Sequence, residues 1–192
     1  MPALTRAAAV ARKDLLVEWR ARQIAAATGL FALLVVLVLG LTLGADPRQA
    51  AAILWVALGF ALMLGVHRLV QSEVEQQALE ILLLYPGSRE HLYWGKWAAL
   101  VVMLGSLLVL LLLALGLLFN VAVWPVFLPV LGVGLLGVIG LAAAGTLFAA
   151  LALHVRGREL MLPLLLLPVT LPVLLAGVRL TDALIGGGPP GV

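Results

Sequence analysis

Five stretches of this chain contain no Asp, Glu, Lys, Arg or His: Ile24–Leu43, Ala50–Val66, Ala98–Phe119, Val126–Leu153 and Leu160–Val178. Each is near the roughly 20 residues with which a helix crosses about 30 Å of hydrocarbon. The runs are continuously apolar rather than alternating, which excludes the period-two pattern of a membrane barrel. Inside a bilayer every backbone N–H must find a partner within the protein, so each run is predicted to be a helix. The fold class is therefore an all-α polytopic membrane protein with about five transmembrane helices, forming a single domain over residues 1–192. Composition agrees: 64% of the 192 residues are hydrophobic and 11% charged, against about 25% charged in a soluble domain.

Orientation follows from the basic residues at the run ends. Arg6, Arg12, Lys13, Arg20, Arg22, Arg68, Arg89, Lys96, Arg156 and Arg158 fall on one side; only Arg48 and Arg179 fall on the other. The positive-inside rule then places the N-terminus and residues 67–97 in the cytoplasm. These cations flank spans and form no separate patch, so the net charge of +3 reads as a topology signal and no nucleic-acid partner is expected. Residues 1–23 precede the first run and carry Leu4, Ala8, Ala11, Leu15 and Trp19 at helical spacing. They are predicted to form an amphipathic helix in the headgroup region. The first apolar run is longer than a signal-peptide core, so it is expected to remain as a span. Trp19, Trp55, Trp94, Trp97 and Trp124 all fall near run ends, as residues of an interfacial aromatic belt do.

The spans are poor in chemistry. With no ionisable residue at depth, self-contained proton or sodium coupling is not expected. The chain has no cysteine, which excludes disulfides, thiol catalysis and covalent haem attachment through CxxCH. The Gly95-Lys96 pair is followed by Trp97 and preceded by Glu90 where a phosphate loop needs glycine, so there is no nucleotide site and no enzyme is predicted. His67, His91 and His154 are of the residue type that ligates haem or metal, but they lack HExxH spacing and are read as interfacial. Thr28, Thr42, Ser106, Thr146 and Thr170 are expected to bond their own helices. Ala57, Ala61 and Gly65, and separately Gly137, Gly140 and Ala144, form small-residue faces suited to close helix packing. Pro163, Pro168 and Pro172 should bend or interrupt the last helix, and residues 179–192 are expected to be a flexible tail.

The long polar interruption, residues 67–97, is the informative segment. Val70, Val74, Ala78, Ile81 and Tyr85 form one apolar stripe along a predicted helix that Pro86-Gly87 ends, while Glu73, Gln76, Gln77 and Glu80 share the opposite face. An acidic helix is repelled by the anionic cytoplasmic leaflet, which favours a protein partner over lipid contact.

That layout, an amphipathic helix before the first span and a cytoplasmic helix between spans two and three, resembles the permease half of an ABC-2 type exporter. More narrowly, RKDLLVEWR at Arg12–Arg20, ALEILLLYPGSREHLYWGK at Ala78–Lys96 and RELMLPLLLLPVTLPVLLAG at Arg158–Gly177 resemble the haem exporter protein B family, the permease of cytochrome c maturation. The resemblance implies a bacterial inner-membrane subunit that binds no cofactor itself and receives ATP energy through a separate cytoplasmic ABC ATPase. It implies further partners in a haem-handling membrane subunit and a periplasmic haem chaperone. Haem itself, or release of the haem-loaded chaperone, would be the output. The family usually has six spans, one more than the runs found here. By resemblance, ATPase contact is assigned to Glu73, Glu75, Leu79, Glu80, Leu82 and Pro86 in the coupling segment, and a homodimer is expected because one permease half does not readily enclose a pathway. Two alternatives stay open: a membrane scaffold for haem-handling proteins that transports nothing, and an ABC-2 permease for another substrate.

Overall fold

The computed structural model describes residues 22–43, 47–75, 89–118, 124–152 and 158–186. They form five helices: α1 (Arg22–Leu43), α2 (Pro47–Glu75), α3 (Arg89–Leu118), α4 (Phe127–Ala152) and α5 (Arg158–Gly186), with a 3₁₀ turn at Trp124–Val126 leading into α4. All five are long and apolar enough to cross a membrane, and the described residues contain no strand. The chain is thus a multi-pass, all-α membrane protein. Two starts follow from proline chemistry. Pro47 opens α2 and Pro129 sits in the first turn of α4, positions where the missing N–H has no helical acceptor to lose.

Two boundaries at the polar segment differ from the expected ones. α2 continues past Val66 to Glu75, and α3 begins at Arg89, well before Ala98. Both flanks of the polar segment are therefore extensions of the spans, since once a helix is nucleated each added polar residue gains a backbone hydrogen bond at little cost. Val70, the first member of the apolar stripe, is 4% exposed and belongs to the bundle core. The stripe thus starts as the end of α2. Residues 76–88, and the predicted interface helix at 1–23 apart from its last two residues, lie outside the described residues.

α5 runs unbroken through Pro163, Pro168 and Pro172 to Gly186. Of the expected bend or interruption, the interruption does not occur: α5 continues past each missing N–H, and all three prolines lie exposed on the outside of the bundle. The tail expected from residue 179 begins as helix, and Thr181 within it is completely buried.

α2 lies at the centre and packs against all four other helices. The reason is in its side chains. Ala50, Ala51, Ala57, Ala61 and Gly65 leave little bulk between backbones, and large residues from neighbours fill the remaining space. The Ala57–Ala61–Gly65 face packs closely, as its spacing requires. On α4 the close face is Gly134, Gly137 and Gly145 instead of Gly137, Gly140 and Ala144. A Cβ at Gly140 would meet nothing nearer than 4.0 Å, whereas one at Gly134 would come within 2.6 Å of Leu108 and one at Gly145 within 2.7 Å of Val66.

Candidate functional site

The polar segment joins α2 to α3, and the described residues at the ends of those two helices are tied to the bundle by specific contacts. On α2, His67 and Gln71 are one turn apart, and their side-chain nitrogens Nε2 lie 3.0 Å apart in a hydrogen bond. On α3, Tyr93 and Trp97 are also one turn apart. Tyr93 donates its hydroxyl proton to the carbonyl of Ala143 at 3.2 Å, and the Trp97 indole N–H donates to the carbonyl of Ile139 at 3.3 Å. Ala143 and Ile139 are one turn apart on α4, so the two bonds bridge a single antiparallel register. A helical carbonyl has a second lone pair for such a donor. Trp94 lies between these anchors, its ring edge-on to Tyr93 at 5.8 Å and to Trp97 at 5.4 Å between centroids. It is 53% exposed. An aromatic fixed in this way at a span end anchors the depth of α3 in the interface.

The second feature lies toward the opposite end of the bundle. Trp55, expected in the aromatic belt, is 1% exposed and sits among α2, α4 and α5. Its ring fills the space left by two absent side chains: a Cβ would come within 2.1 Å of it at Gly137 and within 2.3 Å at Gly177. The indole N–H donates to Thr181 Oγ1 at 3.0 Å, with both groups buried. An indole N–H in hydrocarbon surroundings needs such an acceptor, so one residue joins three helices by shape and by a hydrogen bond. Position near a run end suggested the interface for Trp55. The signal for its true place is distributed over Gly137, Gly177 and Thr181, three residues remote in sequence that only the fold brings together. Trp94 and Trp124 are exposed as belt residues, and Trp97 is half-buried against α4.

Of the residues assigned to partner contact, Glu73 and Glu75 lie on the last turns of α2. Leu79, Glu80, Leu82 and Pro86 lie outside the described residues. Among the described residues no three His, Cys, Asp or Glu side chains gather where a metal ion could be held. Thr42, Ser106, Thr146 and Thr170 donate to carbonyls of their own helices, at Val38, Met103, Ala142 and Leu166. This geometry is suited to transmitting displacement: the polar ends of α2 and α3 are extensions of spans, α3 is pinned to α4, and α2 is pinned to α4 and α5.

Comparison with known proteins gives a consistent result. The family model described as CcmB protein matches residues 5–189. A protein of Bradyrhizobium diazoefficiens called heme exporter protein B is 30% identical over 191 residues, covering 96% of this chain and 84% of the relative. No solved structure matches the chain.

Proposed function

Because the chain belongs to the CcmB protein family, we propose that it is the permease subunit of a membrane complex for haem export in cytochrome c maturation, driven by a separate cytoplasmic ABC ATPase. The observation that carries the reading is the family match over residues 5–189, which includes all five spans and the polar segment between α2 and α3. The relative's name, heme exporter protein B, supplies the substrate class. In this reading Glu73, Glu75, Leu79, Glu80, Leu82 and Pro86 meet the ATPase, and the cytoplasmic face is the one that carries the N-terminus and residues 67–97. A haem-handling membrane subunit and a periplasmic haem chaperone complete the assembly, in the bacterial inner membrane, around two copies of this chain. The output is either haem itself or the haem-loaded chaperone, released at the expense of ATP.

The span extensions support the docking role physically. Displacement of a hairpin on flexible linkers would be absorbed locally, whereas α2 is one helix of 29 residues, about 43 Å at 1.5 Å per residue. A push on its inner end reaches Trp55 without crossing a loop.

The test is reconstitution with the partner ATPase in lipid. ATP hydrolysis should depend on this chain and rise when haem or haem-loaded chaperone is added. Hydrolysis that ignores both would favour a passive scaffold, and hydrolysis stimulated by an unrelated substrate would favour a different export activity.

A further inference from the structure

Two backbone acceptors on α5 lack helical donors, and both lie on one face. The helix packs against α2 and α4 through Leu162, Leu166, Thr170, Gly177 and Thr181, all of them buried. The opposite face carries Leu164, Pro168, Pro172 and Ala176, each one turn from the next and each exposed. Pro168 has no N–H to offer the carbonyl of Leu164, and Pro172 has none for the carbonyl of Pro168. Each freed oxygen lies beneath the proline ring that blocks it, so both open on the exposed face.

In hydrocarbon a carbonyl without a donor is costly, and a proline-containing span recovers one from a hydroxyl side chain, a local 3₁₀ or π turn, a neighbouring helix or water. The first three are closed within this chain. Thr170 is the sole side-chain donor between Leu160 and Val178, and its hydroxyl goes to the carbonyls of Leu166 and Leu167 instead. α5 is α-helical from Arg158 to Gly186, without a 3₁₀ or π turn. No described helix covers the face, and from Leu164 to Ala176 its side chains are all apolar, so neither lipid tails nor the same face of a second copy would bring a donor. Water brings two and needs no matching side chain.

From these observations we infer that the proline face of α5 borders a water-filled crevice within the membrane, not lipid. The crevice enters from the end of the bundle where α2 ends and α5 begins, and it reaches at least to the carbonyl of Pro168. That residue lies about 9 Å along the span that starts at Leu162, at 1.5 Å per residue. The far wall belongs to another subunit of the complex. To treat the crevice as part of an export route rests on the permease function proposed above; its hydration does not.

The absence of native cysteine makes hydration measurable in the full chain, in membranes that hold the assembled complex. Leu171→Cys places a thiol on the proline face about 14 Å along its span, while Leu147→Cys and Ile139→Cys place thiols at exposed positions of α4 about 8 and 20 Å from the corresponding end. With the membranes opened to both sides, a charged thiosulfonate should modify Leu171→Cys at least about tenfold faster than either reference, because only the thiolate reacts and hydrocarbon keeps a thiol protonated. A nitroxide on Leu171→Cys should also show stronger contact with deuterium from heavy water than one at either reference position. Either readout at the reference level would overturn the inference, whether lipid or a dry protein surface then covers the face. The permease function fails separately, if ATP hydrolysis ignores haem and chaperone while Leu171→Cys is hydrated.

Discussion

At the scale of single residues, Trp55 decides more than any other described side chain. Its burial converts an interfacial residue type into the joint of three helices, and the joint makes two opposite demands: bulk on α2 and its absence on α4 and α5. Gly137→Ala should therefore destabilise by overpacking, by about 1–3 kcal/mol, since its Cβ would stand 2.1 Å from the indole. Thr181→Val keeps the side-chain shape but leaves the buried indole N–H without its acceptor, at a cost of about 1–3 kcal/mol. Both are read from the midpoint of thermal unfolding in detergent or lipid, with Leu147→Ala at an exposed, lipid-facing position as the unaffected reference. A Thr181→Val protein as stable as the parent would remove the hydrogen bond from the account. Replacing Pro168 by Ala, in contrast, should be tolerated, because it restores a donor for the Leu164 carbonyl on an exposed face.

At the scale of elements, the continuity of α2 is the feature on which force transmission rests. Gln71 is exposed, and its residue lies within the extension that carries Glu73 and Glu75. Proline there removes a helical hydrogen bond and clashes with the preceding turn, costing about 3 kcal/mol or more locally. With the spans themselves intact, Gln71→Pro should leave the protein in the membrane and bound to its ATPase while ATP hydrolysis loses its response to haem or chaperone. Gln71→Ala should retain the response. The five helices were legible in the sequence because hydrocarbon imposes one local rule, a long uncharged run, on each of them. The ends of α2, α3 and α5 were not. Residues such as Arg68, Lys96 and Arg179 end the uncharged run while remaining good helix formers, so polarity marks where the hydrocarbon stops and not where the helix stops. In α5 the helix continues through Pro163, Pro168 and Pro172 because the lost bond and clash of each proline act only on the preceding turn, while the apolar run on either side still requires helix.

At the scale of the whole molecule, five helices with α2 at the centre carry a polar segment between α2 and α3. The periodicity that proposes an acidic face at Glu73, Gln77 and Glu80 was readable in the sequence. The Trp55 joint was not, since its parts come from three helices. Topology is the first requirement. The segment between α1 and α2 and the segment between α2 and α3 must lie on opposite sides of the membrane, and the proposed orientation puts the latter inside. In intact cells, a cysteine at Ala45 should react with a membrane-impermeant maleimide and one at Gly87 should react only after permeabilisation. The reverse pattern would move the proposed docking face outside. The central claim is that residues 67–97 receive the movement of the ATPase, and reversing charge in that segment tests it most directly. Glu73→Arg together with Glu80→Arg should abolish co-purification of the ATPase, or lower its retention at least about tenfold, as expected for a docking face whose charges turn from complementary to repulsive, while the variant still reaches the membrane. Retention of the ATPase at the parental level, with hydrolysis still responsive to haem or chaperone, would contradict the account.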